Sequence, residues 1–139
     1  MVHDEIERWL AVLCGGHDRD EMYTAMVRLR EIGEAAAPGL LRIVADRAQS
    51  SGARSRAVDV LVDLRPVGLL PILVDTLKDG SVDLRWSIAK ALGGLKDPSA
   101  IPVSERVVAE DRGEVTLQPG FTIRVRDAAS GALAQLRCT

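Results

Sequence analysis

The chain has 139 residues and a formal net charge of −2, with 47% apolar and only 3% aromatic residues. That length is enough for one domain with a hydrophobic core, and the apolar fraction excludes an intrinsically disordered chain. The charge balance excludes a strongly basic nucleic-acid-binding protein.

Targeting and metal-binding signals are missing from the sequence. No apolar run approaches the ~20 residues that a membrane span needs. The acidic start, 1–5, is not typical of a secretory signal, so we expect a cytoplasmic protein with no membrane association. Cys14, Cys138, His3 and His17 show no metal or redox spacing. We therefore expect free thiols, no metal site and no cofactor.

Four apolar helices are predicted in chain order, each the first helix of a pair. Their apolar residues recur with helical spacing, and prolines lie near the starts of the last three, where a missing N–H is tolerated. The four apolar stretches are 6–13, 40–48, 69–77 and 101–108, and the prolines are Pro38, Pro71 and Pro102.

The second helix of each pair comes from a repeat that aligns without gaps. Successive copies start 32, 31 and 41 residues apart. Three columns stay apolar at a spacing of four and then three, which is one face of a helix. The copies are 22–32, 54–64, 85–95 and 126–136; the columns are Ala25, Ala57, Ile88 and Ala129, then Leu29, Leu61, Leu92 and Leu133, then Ile32, Leu64, Leu95 and Leu136.

This pattern predicts an all-α fold, an α-α superhelix of four antiparallel helix pairs. A period near ~31 residues suits a helix pair as the repeating unit. We expect 1–139 to form a single domain, and the repeats are predicted at 3–34, 35–65, 66–96 and 97–138.

The third repeat resembles the HEAT family, in particular the short HEAT-like repeats of the bilin lyase type. The resemblance lies in Leu77-Lys78-Asp79-Gly80-Ser81-Val82-Asp83-Leu84-Arg85 and in the apolar residues that follow. It implies a solenoid in which a turn aspartate, here Asp79, and an arginine that opens the second helix, here Arg85, form a structural ladder. Arg54 and Arg126 occupy the same column as Arg85.

Two departures from that pattern stand out. Met22 replaces the arginine in the first repeat, which a capping repeat could tolerate because its outer side has no neighbour. Asp46 and Asp111 are candidate turn aspartates, but they lie in longer turns.

The fourth repeat carries an insertion, 111–124, between its two helices. Apolar and polar residues alternate on both sides of Gln118-Pro119-Gly120, which is typical of a β-hairpin or an ordered loop. We consider a lid over the C-terminal end of the solenoid, a contact loop that touches a partner through Leu117 and Phe121, and a disordered insertion.

The resemblance also implies that the second helices line the concave side of the solenoid. Rotation by about 100° per residue then turns positions one, five and eight after the arginine column outward together. Trp86 is either a contact residue or a packing residue. Gly93 and Gly131 fall in the same outward set. From this face the predicted partner-binding residues are Tyr23, Arg30, Asp59, Trp86, Lys90 and Asp127.

No nucleophile–histidine–acid arrangement, Walker loop or metal spacing accompanies this pattern. We therefore expect a non-enzymatic scaffold that binds an unknown protein or peptide on its concave face, as a monomer or with weak self-association. Two alternatives remain open: a bilin lyase-like chromophore-handling subunit and a HEAT-like nucleic-acid-binding protein. We expect no nucleic-acid partner, because no face needs to be strongly basic.

Overall fold

The computed structural model describes residues 2–15, 18–78 and 80–138. Helices occupy most of this length, and one β-hairpin interrupts the last pair. The helices are α1 (Val2–Cys14), α2 (Arg19–Ile32), α3 (Ala37–Ala45), α4 (Ser51–Leu64), α5 (Leu69–Leu77), α6 (Val82–Gly94), α7 (Ala100–Glu110) and α8 (Val125–Arg137), and the strands are β1 (Glu114–Gln118) and β2 (Phe121–Arg124). The predicted all-α fold is confirmed, and the insertion, for which a loop or a hairpin was predicted, is a β-hairpin.

Polar caps begin the second helix of each of the first three pairs. The side chain of Asp18 accepts a hydrogen bond from the Glu21 amide at 2.8 Å. Ser50 and Ser81 play the same part for α4 and α6. Each cap satisfies a backbone N–H that has no partner inside its helix, and so fixes where the helix begins.

The predicted apolar columns form the inner face of these helices. All residues of the first two columns are buried, including Ala25 and Leu29 of α2 and Ile88 and Leu92 of α6. In the third column Leu136 is buried, whereas the other three residues are half-buried. Spacing alone therefore identified the side of each helix that packs inward.

The chain divides into two compact units, Met1–Ile72 and Leu73–Thr139. In the first unit, α1 packs on α2, α3 on α4 and α2 on α4. In the second, α8 packs on both α6 and α7, and a buried cluster of Ala89, Val107, Val125 and Ala129 lies between them. That all of 1–139 forms a single domain stays a prediction.

The hairpin lies within the second unit. Strand β1 pairs antiparallel with β2, so that Val115 faces Ile123, and Gly120 has the positive φ of 83° that the turn requires. Strand β1 also contacts α6, and β2 contacts α8. Among the described residues, no helix is both long enough and apolar enough to span a membrane.

Candidate functional site

The predicted partner-binding residues of the first unit lie on α2 and α4. The Tyr23 side chain is 65% exposed. Two turns further along α2, Arg30 Nε donates to Asp63 Oδ2 of α4 at 2.6 Å, which ties the two helices together. Asp59 is also exposed on α4. Tyr23 is thus open to a partner, whereas Arg30 already has a structural partner.

In the second unit, Trp86 is half-buried and packs against the buried cluster between α6, α7 and α8. The Lys90 ammonium lies 4.7 Å from the centre of its ring, a cation–π contact between neighbouring turns of α6. Trp86 therefore acts at least in part as a packing residue, and its contact with a partner stays a prediction. Asp127 is exposed on α8, with its Oδ2 4.0 Å from Arg124 Nη1.

One expectation for the outward face is wrong. Gly93 is buried, and a Cβ added to it would lie 2.8 Å from the Ala132 Cα and would also meet the Gln135 side chain. The missing side chain lets the backbones of α6 and α8 approach closely, so this position faces a neighbouring helix. Gly131, by contrast, faces open space.

Arg85 sits at the start of α6, where the resemblance placed a ladder arginine. Its Nε and Nη2 donate to Asp111 Oδ2 and Oδ1 at 2.9 and 3.2 Å, and its Nη1 donates to the Gly80 carbonyl at 2.8 Å. The Gly113 amide donates to Asp111 Oδ1 at 2.8 Å. The arginine therefore joins the turn before its own helix to the turn after α7, with the candidate aspartate Asp111 as its partner.

The protonation of Asp111 reflects these contacts. Burial raises the pKa of this carboxyl, but the hydrogen bonds from Arg85 and from the Gly113 amide, together with the positive charge of Arg85, outweigh burial and lower the pKa below its ordinary value. The Asp111 carboxylate is therefore ionised at neutral pH.

The other ladder residues have different environments. Arg54 is buried, and its Nε donates to the Val44 carbonyl at 2.8 Å, within the first unit. Arg126 is exposed on α8. Asp79 lies outside the described residues. Arg85 thus contacts the turn before its own helix, whereas Arg54 contacts the last turn of the preceding helix, α3.

The insertion presents its two predicted contact residues to solvent. Leu117 is 60% exposed and Phe121 is 50% exposed, on either side of the hairpin turn. Val115 and Ile123, nearer the helices, are half-buried. We refer to Leu117 and Phe121 as the hairpin tip.

A cleft that the sequence did not predict lies beside Arg85 in the second unit. Its volume is about 520 Å³. It is lined by Val74, Leu77, Lys78, Arg85, Val103, Arg106, Val107, Glu110, Asp111, Arg112 and Gly113. These residues come from α5 and the residue after it, from α6, and from α7 and the segment after it. No spacing within one element indicates that they meet. Nowhere in the described ranges do three or more His, Cys, Asp or Glu side chains gather as a metal site.

Comparison with known proteins identifies the fold and the family. No curated protein matches the chain in sequence. The solved complex of CpcE and CpcF of phycocyanin lyase from Nostoc sp. PCC7120 contains a chain with a similar fold, at a TM-score of 0.64 and 24% identity. The match covers 94% of this chain and 53% of that one, so this chain spans about half of its length. The protein family described as "HEAT repeats" matches residues 37–118, which are more than half of the sequence. The chain therefore belongs to the HEAT-repeat family.

Proposed function

We propose that this protein is a non-enzymatic interaction module that binds another protein or a peptide. The observation that carries the proposal is the hairpin tip, where two large apolar side chains, Leu117 and Phe121, remain at least half exposed on an ordered element. Clustered exposed apolar side chains are typical of protein-binding surfaces, and aromatic residues are enriched among those that dominate binding energy.

The hairpin is held in shape before any partner arrives. On its polar face the Thr116 and Thr122 hydroxyls are 2.9 Å apart, and Arg124 Nε donates to Glu114 Oε2 at 3.0 Å. Its contacts with α6 and α8 fix its base. A surface that is already ordered loses less conformational entropy on binding than a flexible loop, so the hairpin tip suits recognition.

Tyr23 offers a second exposed aromatic surface, in the first unit. The HEAT family supports a role for it, because the second helices of such repeats commonly face the partner. We propose that Tyr23 in the first unit and the Trp86–Lys90 pair in the second unit each contribute to partner binding, with Arg30 and Asp59 of the first unit and Asp127 of the second as further polar contacts.

The test is quantitative affinity capture from a lysate of the native host with three baits. The first is the wild-type chain, the second is Leu117→Ser/Phe121→Ser, and the third is the control Val2→Ser/Val67→Ser, which removes two exposed apolar side chains outside the hairpin. We expect one near-stoichiometric protein to be captured by the wild type and the control and lost with the hairpin variant. Equal capture by all three baits would contradict the assignment of the hairpin tip.

The alternative function is a chromophore-handling subunit. Its support is the repeat subtype together with the likeness in fold to a chain of the phycocyanin lyase complex. An absorbance scan of the captured material distinguishes the candidates: a visible band would favour the chromophore role, absorbance at ~260 nm would favour nucleic-acid binding, and neither would leave the interaction module as the favoured role.

A further inference from the structure

We infer that the cleft beside Arg85 binds an acidic peptide segment that carries aliphatic side chains. The inference rests on the proposed function for its class of ligand, but it concerns a surface other than the hairpin tip. The cleft combines an apolar floor with a rim of cations whose charge is only partly neutralised by carboxylates of the described lining.

The floor is aliphatic. Val74 and Leu77 come from α5, and Val103 and Val107 come from α7. Val74, Leu77 and Val103 are half-buried, so each keeps part of its surface open. A volume of about 520 Å³ is in the range of ligand sites and has room for a few side chains of a bound segment. Aliphatic side chains of a ligand would be removed from water there.

The rim is basic. Arg106 and Arg112 are exposed, and within the described part of the chain neither makes an ion pair. Among the described residues, Lys78 forms an ion pair with Asp75 at 3.8 Å, but both side chains are largely exposed, so the pair is weak. Arg106 and Arg112 therefore remain available for a ligand, and Lys78 can exchange its exposed partner for one.

Little negative charge balances that rim. The described lining contains two carboxylates, and Asp111 is already committed to Arg85, which leaves Glu110. The described part of the lining is thus net positive, although the whole chain carries a formal charge of −2. Opposite charge on a ligand would speed association and set its orientation.

The same features argue against nucleic acid as the occupant. The described lining has no aromatic side chain on which a base could stack, whereas single-stranded nucleic-acid sites rely on such stacking. A phosphate backbone would also offer no apolar surface to cover the aliphatic floor. A peptide with carboxylates and aliphatic side chains fits both the floor and the rim.

The test begins with selection from a displayed library of random 12-residue peptides on the intact chain. We expect enrichment of peptides that contain several acidic residues and at least one Leu, Ile or Val. A parallel selection uses Arg106→Glu/Arg112→Glu, which should not enrich these peptides. No enrichment, or enrichment of basic or purely polar peptides, would overturn the inference.

The enriched peptide is then labelled with fluorescein, and its affinity is measured by fluorescence polarisation. Arg106→Ala/Arg112→Ala should weaken binding about tenfold, because two exposed charge contacts can each contribute up to about fivefold. The control Arg19→Ala/Arg28→Ala removes two exposed cations outside the cleft, and its affinity should stay within about twofold of the wild type. Higher salt should weaken wild-type binding.

Two further variants separate this inference from the proposed function. Val103→Ser should weaken peptide binding through the floor, whereas Leu117→Ser/Phe121→Ser should leave it unchanged. If the hairpin variant keeps the peptide but no host protein depends on the hairpin tip, the proposed function fails and the cleft stands. If the cleft cations prove irrelevant to an enriched peptide, the inference about the cleft fails whatever the capture experiment shows.

Discussion

Replacing Arg85 with alanine removes a polar connection between two turns of the second unit. The substitution deletes two hydrogen bonds to Asp111 and one to the Gly80 carbonyl. It also leaves the Asp111 carboxylate, only 15% exposed, with the Gly113 amide as its hydrogen-bond donor. Hydrogen bonds to charged groups contribute about 1.5–3 kcal/mol each, and residual solvent lowers that figure, so we expect Arg85→Ala to reduce the free energy of unfolding by about 2–3 kcal/mol.

The effect should depend on pH in a defined direction. The pKa of Asp111 is lower in the folded chain than in the unfolded chain. The pair therefore stabilises the fold fully above the unfolded pKa, and this stabilisation is lost as the pH falls through the folded pKa. The stability difference between wild type and Arg85→Ala should be largest at neutral pH and should shrink in acid.

The assay is urea unfolding followed by circular dichroism at pH 7 and at a series of acidic values. Arg137→Ala is the matched control, because Arg137 pairs with Glu105 at 2.9 Å where both side chains are more than half exposed. That exposed pair should contribute no more than about 0.5 kcal/mol. An Arg85→Ala loss no larger than that of Arg137→Ala, or a loss that does not shrink in acid, would refute the reasoning.

Further predictions concern packing and reactivity. Gly93→Ala should lower the free energy of unfolding by about 1–3 kcal/mol, because the added Cβ would collide with Ala132. Gly131→Ala, which places a methyl group in open space on α8, should raise it by about 0.5–1 kcal/mol. Urea unfolding of both variants tests these two predictions, and equal effects would contradict them. Ser104→Ala should raise the free energy of unfolding by about 1 kcal/mol, because the buried hydroxyl has no hydrogen-bond partner among the described residues. A loss of stability in a thermal melt would contradict this prediction. Burial raises the pKa of the Cys14 thiol, so iodoacetamide should label Cys14 at a higher pH than it labels a cysteine in an unfolded peptide. Labelling of Cys14 followed by mass spectrometry tests this, and the same pH dependence as the peptide cysteine would contradict it.

The helical framework could be predicted from the sequence because its signals are local and repeated. Leu29, Leu61, Leu92 and Leu133 recur in register, and every one of them is buried. The hairpin could likewise be predicted, since alternation around a proline–glycine turn needs no distant partner.

Features that depend on contacts between residues distant in the sequence could not be predicted from it. Gly93 was placed outward by rotation from one helix, but the approach of α8 to that same surface encloses it. Arg106, Arg112 and Lys78 reach one cleft from separate elements, and neither composition nor spacing brings them together. Likewise, the half-buried state of Trp86 is set by residues of α7 and α8.

The most direct test of partner binding through the hairpin tip is site-specific photo-crosslinking at that position. The benzophenone amino acid p-benzoylphenylalanine is introduced at position 121, and the same group at position 67, which is fully exposed in a different loop, provides the control. On irradiation in host extract, we expect one discrete crosslinked protein from position 121, competed away by excess wild-type chain and absent from position 67. Crosslinks that are equally diffuse at both positions, or that excess wild-type chain does not reduce, would contradict binding through the hairpin tip.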